Sequence, residues 1–240
     1  MNLDSPWKIG TLVALLVLAR VAWGLWKKAP SRKTVLEFLD AGLIAFTLVF
    51  LIIRPFVVQA FFIPSGSMFP TLHEHDRILV NRFVYRFTAP KRGDIIVFDA
   101  PPYALQSGVA QADFVKRLIG LPGDRVQVKA YEGVFINGEK LEEAPGTITP
   151  GYDWPTDGKP YVVREGNYLV LGDNRNTSYD SHLWQLRTTG EFHPELPSGR
   201  LLGKAMVIFW PPLRIGLLSD NAQAHLPSDV KQTGAAHAAR

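Results

Sequence analysis

The sequence contains no cysteine. Disulfides, thiolate nucleophiles and cysteine-based zinc or iron–sulfur centres are therefore excluded, and the fold does not depend on redox state. Net charge is also low. The 26 Lys and Arg against 22 Asp and Glu leave +4, spread along the chain, which argues against a basic face for nucleic acid, and no nucleic-acid partner is expected. Histidine is sparse, at six residues. Their one close group, His73 and His75 around Glu74, has no HExxH or comparable ligand set; these read as exposed loop histidines, with no metal or organic cofactor expected. Internal repeats are absent, and beyond residue 61 no stretch of useful length carries a helical period. The 240 residues suffice for one soluble domain with a core, plus appendages.

Apolar runs dominate the first quarter. Residues 9–26, "IGTLVALLVLARVAWGLW", are about as long as a bilayer-spanning helix, interrupted by Arg20 and flanked by Trp7 and Trp26. A cleavable leader is the rival reading, but a charge inside the apolar core and the missing small-x-small site argue against it. Residues 35–53 carry Glu37 and Asp40 near the start and are unbroken from Ala41, making the stronger span. The loop between them, 27–33, holds Lys27, Lys28, Arg32 and Lys33. The positive-inside bias puts that loop in the cytoplasm and everything after Arg54 on the extracytoplasmic side. Residues 1–60 thus read as a membrane anchor in contact with the lipid bilayer.

From Phe61 the pattern changes to short β-rich runs between turn signals, among them "DRILVNRFVY", "GDIIVFDAP", "FVKRLIGLPGDRVQV" and "NYLVLGDN". Asn137-Gly138 predicts a primed hairpin turn, and "LPGD" at 121–124 a Pro-Gly turn. The expected fold is mainly β, an antiparallel sheet in a barrel-like arrangement, over residues 61–215. Residues 101–113 and 142–160 read as surface loops. The tail, 216–240, has no apolar stripe to bury and reads as disordered.

Directly after the apolar segment comes "FFIPSGSMFPTL", two serines about a glycine between prolines. A serine there can be a turn residue, a cap or a nucleophile. A hydrolytic serine needs a base, either a histidine such as His182 or a lysine desolvated enough to lose its proton. Lys116, 49 residues downstream of Ser67, lies in an apolar strand pattern with Phe114 and Leu118 on its face and Arg117 on the other. On these grounds alone it either snorkels to the surface or does chemistry.

The boxes "FFIPSGSMFPTL", "DRILVNRFVY", "KRGDIIVFDAP", "FVKRLIGLPGD" and "GDNRNTSYDS" occur in the order and spacing seen in bacterial type I signal peptidases, which the chain resembles from about Val35 to Ile215. The resemblance implies a Ser/Lys serine endopeptidase that cleaves signal peptides of exported preproteins at the outer face of the cytoplasmic membrane. It implies Ser67 as nucleophile and Lys116 as general base. Ser65 would donate to the oxyanion with the Ser67 N–H, Ser178 would orient the lysine, and Asp180 would be a buried supporting carboxylate paired with Arg117. Pockets admitting Ala-x-Ala would be lined by Phe61, Ile63, Pro64, Met68, Leu72 and Ile78, together with Val97, Phe114 and Val115. The chain departs from the family at His182, where arginine is common, at Gln185, where glycine is common, and in a longer, more polar stretch from 185 to 200; His182 is read as structural. Two alternatives keep the resemblance: a signal-peptidase-like enzyme with restricted clients, and a silent membrane scaffold, against which the intact Ser67, Lys116, Ser65 and Ser178 speak. A penicillin-binding type of Ser/Lys enzyme is excluded, because no S-x-x-K surrounds Ser67.

Overall fold

In the computed structural model the described residues are 6–25, 32–48, 58–105, 111–186 and 189–218. The chain divides into two compact units, 1–59 and 60–240. The first holds helix α1 (Pro6–Leu25) and helix α2 (Arg32–Thr47). The two charges that interrupt the apolar pattern, Arg20 and Asp40, lie on different helices and form an ion pair with each other. Among the described residues no helix is long and apolar enough to cross a membrane. Most of the second expected span beyond Thr47, and part of the basic loop, lie outside the described residues.

The second unit is mainly β, as the runs predict. Its larger sheet has the order β1-β2-β11-β3-β4-β9-β10, with β12 added to β11. These are β1 (Val58–Phe62), β2 (Arg77–Asn81), β3 (Ile95–Asp99), β4 (Asp113–Gly120), β9 (Asn167–Leu171), β10 (Leu196–Pro197), β11 (Leu201–Trp210) and β12 (Gly216–Leu217). A smaller sheet has β5 (Arg125–Lys129), β6 (Gly133–Ile136), β7 (Glu139–Lys140) and β8 (Tyr161–Val162) in the order β7-β6-β5-β8. The pairings β2–β11, β11–β3, β3–β4, β4–β9 and β5–β6 are all antiparallel. Asn137 and Gly138, at φ 54° and 87°, turn β6 into β7 with both residues in the left-handed region, as the primed turn requires. Gly216 and Leu217 pair with Ile208 and Val207, so the sheet runs two residues into the segment expected to be disordered; residues 219–240 lie outside the described ones.

The "IIVF" run of β3 has no polar alternation because both of its faces are covered. Ile95 and Val97 pack with Ile63, Met68 and Leu72, whereas Ile96 and Phe98 pack with Leu118, Val170 and Trp184. This decides the environment of β4, its neighbour, where Lys116 and Arg117 are both buried although they point to opposite faces. Described residues of the polar stretch from 185 are also tied down. Trp184 just before it and Leu196 within it are fully buried, Gln185 bridges to Phe192, and Glu195 is buried against Arg164 at 2.7 Å.

Strands β2 and β11 approach closely at Gly203, where an added Cβ would come within 2.4 Å of the Asn81 carbonyl oxygen. Backbone cannot yield as a flexible side chain would. Gly203→Ala is expected to destabilise the sheet domain by about 1–3 kcal/mol, read as a lower urea midpoint at unchanged m; wild-type stability would refute the close-approach argument.

Candidate active site

The serine turn is fixed before any partner reaches it. After β1 the Ile63 N–H donates to the Asp76 carbonyl (2.9 Å) and the His75 N–H to the Ile63 carbonyl (2.8 Å). A single 3-10 turn, Gly66–Met68, follows, closed by the Phe69 N–H on the Gly66 carbonyl at 3.1 Å. Met68 and Leu72 are buried beneath it. From the opposite side Asn174 clamps the turn, its N–H donating to the Ser67 carbonyl (3.1 Å) and its side-chain amide to the Gly66 carbonyl (3.3 Å). Ser67 is thereby held with its hydroxyl toward β4, and Ser65 Oγ lies 3.4 Å from Ser67 Oγ.

Lys116 meets it there. Lys116 Nζ and Ser67 Oγ are hydrogen-bonded at 2.7 Å; a charged ammonium donates in this contact, and a neutral amine accepts the hydroxyl proton. The lysine does not snorkel, being only 5% exposed. Burial pulls its pKa down to about 8, with Asp180 and then Asp173 opposing the fall. A base that discharges near neutrality, in contact with a hydroxyl, is the arrangement that turns serine into a nucleophile.

Behind the pair, Gly172 occupies a gap only glycine fits: a Cβ there would lie 2.4 Å from the Ser67 carbonyl oxygen and 2.2 Å from Ser178 Oγ. Ser178 is buried, and its hydroxyl has no hydrogen-bond partner among the described residues. Asp180 is fully buried. It accepts the Gly172 N–H at 2.7 Å and the His182 Nδ1–H at 2.7 Å, and the His182 ring stacks on Tyr152 with centroids 4.2 Å apart. The expected Arg117–Asp180 pairing takes a different form. Arg117 forks onto Asp173 through Nε (2.7 Å) and Nη2 (2.6 Å) and donates to the Gly93 carbonyl. The register explains it: Arg117 stands opposite Leu171, so Asp173, two residues on, shares its side of the sheet.

A cleft of about 710 Å³ opens over the serine. Of the expected pocket residues, Phe61, Ile63, Pro64, Met68, Phe114 and Val115 line it. Leu72, Ile78 and Val97 do not reach it; they are fully buried in the cluster beneath the serine turn, supporting its floor. Sequence reasoning assigned no role to Gly172, Asp173, Asn174 or Arg175, the last bound to Glu143 at 2.6 and 2.9 Å. The available signal was "GDNR", four unusual residues directly after the apolar strand "NYLVL".

The family model described as signal peptidase, peptidase S26, matches residues 35–210. A probable signal peptidase I-2 of Synechocystis sp. is 42% identical over 197 residues, covering 82% of this chain and 83% of that one. A signal peptidase I of Leptolyngbya laminosa is 46% identical over 168 residues, covering 69% and 75%. A signal peptidase I of Mycobacterium tuberculosis is 34% identical over 229 residues, covering 80% and 78%.

The lysine's burial has a consequence for stability with a definite sign. Its pKa is about 8 folded against 10.5 for the free side chain, so below pH 8 both states are charged and the folded state bears the whole cost of burying the ammonium. Between the two values only the folded state has discharged, and the cost fades. Lys116→Met is therefore expected to be more stable than wild type by about 3 kcal/mol at pH 7, with the difference shrinking toward pH 10.5. Urea titrations at both pH values check this; a gap that does not depend on pH would show that the ammonium is not desolvated.

Proposed function

The chain belongs to the peptidase S26 family of signal peptidases, and from that premise we propose that it is a membrane-anchored serine endopeptidase that removes signal peptides with Ser67 as nucleophile and Lys116 as general base. One observation carries the assignment of roles: the 2.7 Å contact between a buried, readily discharged amine and a serine hydroxyl at the floor of a peptide-sized cleft. Neutral Lys116 takes the Ser67 proton as Oγ attacks the scissile carbonyl. The oxyanion is met by the Ser67 N–H and the Ser65 hydroxyl. Collapse of the tetrahedral intermediate breaks the C–N bond, and Lys116 returns its proton to the leaving amine. Water, deprotonated by the same lysine, then releases the acyl group. Asn174 and Gly172 fix the height of the serine turn, Asp180 anchors Gly172, and Ser178 packs against it beside the dyad. A silent scaffold would gain nothing from burying an unpaired lysine against a serine.

The substrate side follows from the floor. Ile63, Met68 and the residues packed under them leave shallow apolar ground beside Ser67, which suits the small side chains of an Ala-x-Ala site, bound extended with backbone hydrogen bonds to the strands. An anchor is supported by the apolar sequence runs 9–26 and 35–53, by Leu15, Leu18 and Phe38 being more than half exposed, and by the pairing of Arg20 with Asp40, which lowers the cost of holding those charges in lipid. The basic loop would face the cytoplasm and the β unit the outer side, where the cleavage site of an inserted signal peptide emerges.

Cleavage of an Ala-x-Ala precursor by the full chain in detergent tests the assignment. Ser67→Ala and Lys116→Met should each lose at least a thousandfold in kcat. Gly172→Ala should lose about a hundredfold, since the serine must move. For wild type, kcat/KM should rise with pH through about 8, as Lys116 discharges. Retained activity in Lys116→Met would remove the lysine from its role.

A further inference from the structure

The cleft that holds Ser67 and Lys116 is also lined by two carboxylates, Glu74 and Asp113, which the mechanism does not use. Both are exposed. Neither makes a side-chain hydrogen bond or salt bridge among the described residues.

Glu74 is held in place by its neighbours. The His73 N–H donates to Asp76 Oδ2 at 2.8 Å, and buried Asp76 is gripped by Arg214. His75 takes the left-handed conformation, at φ 70°. The rings of His73 and His75 pack on Phe69 and Phe62, at 5.0 and 5.7 Å. The result is a carboxylate brought over the nucleophile turn, with Glu74 Oε1 3.4 Å from where a Cβ on Gly66 would stand. A negative charge there opposes the developing oxyanion unless a cation offsets it.

Asp113 opens β4, three residues before Lys116 and so about 10 Å along the strand. Partial burial pushes its carboxyl up, and Asp99, its register partner across the strands, adds to this, with Arg82 opposing. Asp99 is itself paired with Arg200 at 2.6 Å. Of the cations near the cleft, Lys116 works in its neutral form, and Arg82 lies near Asp113. Each flank of the cleft thus presents a carboxylate to a bound peptide.

We propose that Glu74 and Asp113 are specificity determinants that select cationic side chains flanking the cleaved bond, Glu74 reading a residue beside it and Asp113 one about three positions away. This rests on the signal-peptide reading. Synthetic peptides with an Ala-x-Ala core, carrying Lys, Ala or Glu at each of three positions on either side, test it with the full chain in detergent. The expected result is a Lys-over-Glu ratio in kcat/KM of about fivefold at a position next to the bond, collapsing toward one in Glu74→Gln. A second such position, farther out, should collapse in Asp113→Asn, and both ratios should shrink in roughly 0.5 M salt. Ratios below about twofold at every position, or ratios that survive both substitutions, would overturn the proposal. If wild type cleaves no peptide, including the all-alanine one, the signal-peptide reading itself falls.

Discussion

Lys116 carries its amine into a site from which water is largely excluded, 2.7 Å from Ser67 Oγ, and an ammonium there is stable only if it finds counter-charge or gives up its proton. The fold supplies carboxylates, Asp180 and Asp173, close enough to be felt but not enough to cancel the desolvation, so the lysine's pKa settles near 8. Too much counter-charge would leave a salt bridge and no base. With none, the lysine would be a neutral side chain with little affinity for the proton that the proposed mechanism hands to it. Much of the surrounding structure sets this balance: β3 and β9 wall the amine in, the 172–180 segment meters the negative charge, and Asn174 keeps the serine from drifting away.

That metering is done by backbone as much as by side chains. Asp180 spends one carboxylate oxygen on the Gly172 N–H and the other on His182. The group that influences the lysine's proton thus also fixes the position of the glycine behind Ser67. His182 is held in turn by stacking on Tyr152, whose own hydroxyl burial pushes up in pKa. His182 reaches Asp180 through Nδ1.

Legibility in the sequence was uneven for physical reasons. The strands, the primed turn at Asn137-Gly138 and the serine turn were readable because each rests on local preference: alternation, left-handed backbone, prolines flanking a glycine. Burial of Lys116 was not readable from its own neighbours, since an apolar strand permits both snorkelling and burial; what decides is the cover that distant segments place over both faces of β3 and β4. Arg117's partner was missed for the same reason, because Asp173 is 56 residues away and only strand register brings it opposite. Leu72, Ile78 and Val97 were expected in the pocket because the family resemblance carried them there. Sequence order cannot tell a residue that lines a cleft from one buried immediately beneath it.

The adjacency of Lys116 and Arg117 shows why the two cations are not interchangeable here. Strand alternation sends them to opposite faces of a sheet that is dry on both sides, so each must resolve a buried positive charge. A guanidinium cannot discharge at any accessible pH, so at 117 the only solution is a full partner, and Asp173 closes a two-point fork on it. An amine can discharge, so at 116 no full partner is needed, and the proton it sheds makes it available as a base. Exchanging the two side chains would place a permanent charge against Ser67 and a point charge against a carboxylate shaped for a fork. The sheet would then have neither the proposed base nor its brace.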